Sequence, residues 1–466
     1  MVKSGMAENY DKLHLNQLVS GDQLEINKLL EEGLGKEFAD ADLAKRTQIA
    51  MRLKYSRRFD YGLYADGDNA KAAVEKLAEL IGSHQGKKLS APSRRQLNCL
   101  LANLYRFHQR NENMWISVSM RNGKAVPKKY NPSGVSSKTL RLLVVAMKQM
   151  ELAFHVSGNF DRDKGRNSHS PRIAADKKLI SILENEFGWK PTNIKYHPLD
   201  TLVILNSEKD ANGNRRHIDY EPTAETDEIE TFLRTYNRYL SEQEVWLFDG
   251  WNEFPDMIQM RRTFTDASWE KGGRLYGGEY QQLSKQHRKD IQINGCATVE
   301  VDIKSCHPTM AFAAAGIDWY RRYNREIYDL GTNKWLRDII KRAFNIMINS
   351  DSRKQAIKAL YNLSSDDLAT DEGYFVEYKG WAKELVHLIE DTYPELADIF
   401  YGDCGNTFMK MEGDICSQVI QKCMNMDIPV LTIHDSFTCP EQHKETVSKL
   451  VHDAFTDIVG VSCVVE

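Results

Sequence analysis

At 466 residues, 41% of them hydrophobic and 27% charged, the chain is long enough for two or three domains with full cores and has an ordinary globular composition. No apolar run nears the roughly 20 residues of a membrane span, and the opening MVKSGMAENYDKLHLNQ lacks the apolar centre of a secretory signal. Eight scattered cysteines without a CxxC pair exclude a disulfide framework or a thiolate zinc site, and the net charge of −4 gives no nucleic-acid signature by itself, so a cytoplasmic protein is expected.

Residues 1–90 read as a helical region. GDQLEINKLLEEGLG (21–35) and NAKAAVEKLAELIGSH (69–84) carry apolar residues at helical spacing, the second opening on Asn69 as a cap and stopping at Gly82. No chemistry is visible there, and a supporting role is expected.

Residues 91–205 have a different character. Between Arg121 and Lys178, basic residues outnumber acidic ones about threefold, so the charge of the chain is segregated. An amphipathic helix, RRQLNCLLANLYRFHQR, is followed by a basic turn-rich stretch, and then by a second helix capped at Ser136 or Ser137 with Leu140, Leu143, Val144 and Met147 on one face. A strand, a polar loop and a second strand (152–175) complete the layout of a winged helix-turn-helix, in which the second helix enters the major groove and the wing tracks phosphates. The segment resembles the winged-helix domains of plasmid and phage replication initiators. That likeness implies nucleic-acid contacts at Lys138, Arg141, Arg162, Lys164, Arg166 and Arg172. Residues 206–260 read as a turn-rich junction and a helix, EIETFLRTYNRYLSEQ, in a thumb-like position.

From Arg261 onward the residues carry chemistry. VEVDIKSCHPTMAFAAA (299–315) delivers Asp302 at the end of a β-branched strand, just before an apolar helix. PVLTIHDSFTCP (429–440) delivers Asp435 in the same way, with His434 before it and Ser436 after it. Two strand-end aspartates suggest two halves of one divalent-metal site. Arg337 and Lys341 are four apart and share a helical face, which suits a triphosphate. Arg274 lies between the glycine pairs 272–273 and 277–278, where the backbone can approach a ligand closely. No GxxxxGK[ST] loop is present, which excludes a P-loop NTPase by motif.

Taken in order, these motifs resemble the right-hand polymerases that include family A DNA polymerases and the single-subunit phage and mitochondrial RNA polymerases. Asp302 matches the motif A aspartate, Arg337 and Lys341 the Arg-x-x-x-Lys of the fingers helix, and His434-Asp435-Ser436 the motif C hairpin. EKGGRLY resembles the DxxGR motif of the RNA branch, with Glu270 in place of Asp, and equally the Thr-Gly-Arg-Leu motif of the DNA branch, and Glu412-Gly413 stands where a family A helix carries Gln-Gly. Departures are equally specific. His307 occupies the position where the DNA branch has a ribose-blocking Glu and the RNA branch a Gly, and Asn349 stands where both branches carry Tyr. The additional histidine that the RNA branch carries before motif C has no counterpart, its position falling near Met409.

The resemblance implies an α+β fold: an antiparallel polymerase palm with small helical fingers over 261–466. It implies a minimal, divergent template-directed nucleotidyltransferase with two Mg²⁺ (or Mn²⁺) ions on Asp302 and Asp435. Arg337, Lys341, His307, Asn349 and His434 would contact the nucleotide, and Arg274 and Glu412 the nucleic acid. Expected partners are a DNA template, NTPs or dNTPs, and an RNA product or primer, in a primase-like or transcriptional role in a phage or mobile element. Other readings are a DNA polymerase of the same fold, a metal-dependent nuclease built on Glu300-x-Asp302-x-Lys304 with Asp290, and a non-catalytic DNA-binding replication initiator. Asp302 could also be an ordinary helix cap.

Overall fold

Leucine-rich helical faces and short β-branched strands build both halves of the protein. The computed structural model describes residues 56–110, 114–118, 127–157, 170–210, 213, 215–248, 253–323, 325–331, 335–370 and 373–466. The helix expected at 21–35 and the candidate contacts Arg162, Lys164 and Arg166 lie outside them. The chain divides into a first unit ending at Asp200 and a second, Thr201–Glu466.

The first unit begins with β1 (Arg57–Arg58) and β2 (Leu63–Ala65), followed by α1 (Asp68–His84) and α2 (Ala91–Arg110). β3 (Ile116–Ser117), α3 (Ser137–Gln149), β4 (Ala153–Val156), β5 (Arg172–Ala175) and β6 (Ile194–Tyr196) come next. Helix α1 packs against α2 and α3, so it belongs to this unit rather than to a separate N-terminal region. It starts at Asp68 after an uncapped Gly67 and runs past Gly82, and Asn69 is a helical residue that bonds Asn193. Helix α3 starts as expected, with Ser136 accepting a bond from the Thr139 amide, and it buries Leu140, Leu143, Val144 and Met147. β4 and β5 form an antiparallel hairpin, with β3 on the far side of β5 in the order β1-β3-β5-β4. The buried Asn103 staples α2 to the loop before β2, its amide accepting from the Asp60 N–H at 2.8 Å and donating to the Asp60 carbonyl at 2.9 Å.

The second unit opens with β7 (Val203–Asn206), β8 (His217–Ile218) and α4 (Ala224–Ser241), the last held by a Thr223–Thr226 capping box. β9 (Val245–Phe248), β10 (Glu253–Pro255), β11 (Arg261–Thr265), β12 (Ser268–Tyr276), β13 (Gln292–Ile293) and β14 (Cys296–Asp302) follow. Then come α5 (Cys306–Ala314), α6 (Arg337–Ile348), α7 (Arg353–Tyr361), α8 (Trp381–Thr392) and α9 (Gly405–Asn425). β15 (Leu431–Ile433), β16 (Ser436–Pro440) and α10 (Lys444–Val459) end the order. A six-stranded antiparallel sheet runs β10-β9-β13-β14-β16-β15, and a four-stranded one runs β12-β11-β7-β8. The fold class is therefore mixed α+β.

Helix α9 lies directly on β12, and two glycines set the distance. A Cβ on Gly413 would stand 1.9 Å from the Gly273 carbonyl oxygen, and Gly273 itself has φ 83. Arg262 fixes the same spot, donating to the Gly273 carbonyl at 2.8 Å and to Asp414 at 2.6 Å. Any side chain at 413 therefore forces α9 away from the sheet. Gly413→Ala is expected to lower stability in urea unfolding by about 1–3 kcal/mol or more, as overpacking does at a rigid contact.

Candidate functional site

β14 and the β15–β16 hairpin carry the two predicted aspartates to one end of the six-stranded sheet. Along β14, Val301 is buried while Asp302 faces outward, as strand alternation requires. Asp302 stands opposite Ser436 in the antiparallel register. Helix α5 begins only at Cys306, after Ser305 in a left-handed conformation (φ 52), so Asp302 is not its cap. Asp435 occupies the two-residue turn between paired Ile433 and Ser436, with His434 at φ 60. The Asp435 carbonyl accepts from the Ile303 amide at 3.2 Å, which locks the turn to the strand end.

At both carboxylates, burial and neighbouring anions outweigh the nearby cations. Asp302 opens to solvent on one side, yet desolvation by its surroundings, then the charges of Asp435 and Glu300, hold its pKa up at about 7. Lys341 on α6 and Lys285 pull the other way. Asp435 is also raised, first by burial and then by Glu412. Glu300, two residues before Asp302, behaves oppositely. Burial would raise it, but hydrogen bonds from Arg288 (3.1 and 3.2 Å) and Ser436 (2.7 Å) bring it below the usual carboxylate range.

Glu412 is the buried anion of the site, 2% exposed. One oxygen accepts from Arg274 Nε at 2.5 Å, and the other lies 3.1 Å from His307 Nε2. Burial alone would raise this carboxyl; the two partners outweigh it and bring it down to about 2. Glu412 therefore faces no nucleic acid in this structure: it fixes Arg274 and His307, and His307 packs edge-on against Phe408. His434 is pushed down to about 4, by burial and then by the Arg274 charge, so its imidazole is neutral at pH 7. Its Nδ1 is buried without a protein partner, and its ring meets Tyr276 edge-on.

On α6, Lys341 is exposed and, among the described residues, makes no ion pair. Arg337 is engaged by Glu326 at 3.3 Å and lies over the Tyr328 ring. Asn349 ends the helix, donates to the Asn345 carbonyl at 2.7 Å and presses against Gly405. Lys304 is held by Glu326 (3.1 Å) and Glu466 (2.9 Å), and Glu300 by Arg288, so the Glu-x-Asp-x-Lys pattern does not converge as a nuclease centre needs. In the first unit, Lys138 and Arg141 are exposed on α3 beside Leu142 and Val145. Arg172 instead donates to Ser117 and to the Ser170 carbonyl at the base of the hairpin.

Sequence reading missed Arg288, Glu326, Glu466 and the Arg262–Asp414 pair. Each is a partner distant in sequence from the motif it serves, and no local pattern marks it.

The donor set fits a hard divalent cation. Carboxylate oxygens are the ligands Mg²⁺ and Mn²⁺ prefer, and a bound cation would offset both the burial and the neighbouring anions that raise the two aspartates. The Cys306 thiol, Glu412 and Asp435 also converge within 4.8 Å, but both oxygens of Glu412 are already engaged. For Asp302, raised from about 3.9 in an unfolded chain to about 7 in the fold, the linked stability is fully present at low pH and is lost as pH rises through 7. Without metal, thermal stability is expected to fall between about pH 4 and 7 and level off above it, and millimolar Mg²⁺ to restore it at about pH 8. Asp302→Asn should remove both effects in the same melting experiment.

No protein-family model matches this chain, and no curated protein does. Among solved structures it is similar to the POL domain of Pol1 from M. smegmatis in complex with DNA primer-template and dNTP, at 11% identity and a TM-score of 0.26, over 95% of this chain and 70% of that one. At that score no residue correspondence follows from the likeness.

Proposed function

We propose that Thr201–Glu466 is a template-directed nucleotidyltransferase, with the six-stranded antiparallel sheet as its palm and α6 to α8 as small fingers. One observation carries this reading: Asp302 at the end of β14 and Asp435 in the adjoining hairpin turn share one end of the sheet, within the field of a lysine on a helix that also carries Arg337. Asp302 and Asp435 are the residues that would hold two Mg²⁺ or Mn²⁺ ions, which when bound activate a 3′-hydroxyl and stabilise a leaving pyrophosphate. Lys341 is open to bind a triphosphate, and Arg337 joins it by exchanging Glu326 for a phosphate oxygen. His434, neutral, offers a hydrogen bond rather than a charge to the nucleotide. Glu412 keeps Arg274 and His307 from rotating, which places Arg274 to meet the template–product duplex and His307 to meet the sugar.

The first unit supplies a winged helix, supported by the order α2, β3, α3, β4, β5 and by the cations on the open face of α3. It would recruit template or recognise an origin, in a primase-like or transcriptional role in a phage or mobile element. The lean is slightly to ribonucleotides, since the IHDSF hairpin is most like the RNA branch, EKGGRLY fits the RNA branch as well as the DNA branch, and no Glu gate is present. A deoxynucleotide polymerase of the same design remains the competing reading.

The deciding assay is Mg²⁺-dependent incorporation of labelled NTPs and dNTPs on single-stranded DNA, with and without a primer. Incorporation is expected, and Asp302→Asn and Asp435→Asn should each reduce it by at least about a hundredfold while DNA binding persists. DNA cleavage in the absence of nucleotides would favour the nuclease; DNA binding with no chemistry, indifferent to Asp302, would favour the initiator. Separately, Lys138→Ala and Arg141→Ala should weaken DNA binding about equally for all sequences, each reducing the salt slope by about 1.

A further inference from the structure

Helix α10 stops at Gly460, whose left-handed conformation (φ 81) turns the chain back. Ser462 is then fixed by its amide on Asp318, and Cys463 is buried. Residues 464–466 run antiparallel to 302–304, along the side of β14 that β16 does not cover. Ile303 and Val465 form the bridge. The Asp302 N–H donates to the Glu466 carbonyl at 3.1 Å, the Glu466 N–H donates to the Asp302 carbonyl at 3.0 Å, and the Lys304 N–H donates to Val464 at 2.9 Å. Both main-chain polar groups of Asp302 are thus satisfied by one residue far along the chain. On the other side, Asp302 and Ser436 are only neighbours in register, and the nearest bond there runs from Ile303 to Asp435.

A strand end whose amide and carbonyl have no partner exchanges them with water and frays. A carboxylate on a fraying residue has no fixed direction. We propose that residues 464–466 are a positioning element for Asp302: an added strand whose main chain holds the aspartate at the orientation that metal binding and chemistry require. The side chain of Glu466 adds a second tie through Lys304, which also bonds Glu326, the partner of Arg337. The element thereby reaches from the aspartate towards the cationic helix. This inference rests on the polymerase reading for its catalytic consequence, but not for the consequence on metal binding.

The test compares the full chain with Glu466→Pro, which removes the N–H donated to Asp302, and Glu466→Gln, which keeps every main-chain bond. Three quantities are read: Mn²⁺ affinity by titration with electron paramagnetic resonance, kcat and KM for nucleotide incorporation, and hydrogen exchange of the peptide containing Asp302. Glu466→Pro should weaken Mn²⁺ binding about tenfold or more and lower kcat roughly ten- to a hundredfold, with KM for nucleotide and the melting temperature little changed. Glu466→Gln should stay within about fivefold of the wild type, the worth of one exposed ion pair. In the unmodified chain the Asp302 amide should exchange as slowly as those of β14, a measurement that holds even if the proline variant fails to fold. Fast exchange at Asp302 in the unmodified chain, or wild-type Mn²⁺ affinity in a folded Glu466→Pro protein, overturns the proposal. If the wild type incorporates no nucleotide, the polymerase reading fails alone, provided that Glu466→Pro and Asp302→Asn still weaken Mn²⁺ binding together.

Discussion

A carboxylate buried to 2% exposure must be paired or it will not stay ionised, and Glu412 organises the second unit around that requirement. Its partners come from β12 and from α5, so satisfying one anion joins three elements. The next residue, Gly413, has no side chain where α9 meets the Gly273 carbonyl, and the one after, Asp414, receives Arg262. Three consecutive residues thus provide a charge pair, a close approach and a second charge pair. Neither pair forms unless the helix comes down on the strand, and the helix can come down only because position 413 is glycine.

Next to this closed system stands an open one. Glu412 titrates at about 2 and Asp302 at about 7, although both are carboxylates of the same unit. The difference is in their partners: Glu412 has an arginine and a histidine in hydrogen-bond contact, whereas Asp302 has a second aspartate and a lysine acting only through space. When environments drive like groups apart in this way, the satisfied one serves structure and the unsatisfied one is left for a ligand. The neutral His434 belongs with the open system, because burial, and then the arginine that stabilises Glu412, disfavour a positive charge on its ring.

Much of this local framework was legible in the sequence. The β-branched run before Asp302 follows from its residues and the hairpin around Asp435 from the resemblance, and both form; the basic helix read as one run over residues 333–360 forms as two, Arg337–Ile348 and Arg353–Tyr361, broken at the polar stretch between them. The partners were not legible. Nothing in the sequence near Arg337 announces Glu326, and nothing near Asp302 announces Glu466, because strand addition and ion pairing across long separations leave no periodic trace. Glu412 entered only through its likeness to a Gln-Gly motif, and only the position of β12 shows that its side chain is buried against Arg274 and His307. Asn69 failed on a smaller scale, since an asparagine one residue inside a helix and an asparagine at its cap look alike until its bond to Asn193 is seen. The division of the chain near residue 200 lies within a few residues of the junction read at 206, where the turn-rich composition marks it.

The left-handed backbone of His434 has one more implication. A β-hairpin turn of two residues ordinarily takes Asn or Gly at such a position, and a bulkier L-residue there costs of order 1 kcal/mol. Replacing His434 by Asn or Gly, as consensus-style stabilisation of the hairpin would, therefore gains turn stability and removes the imidazole beside Asp435.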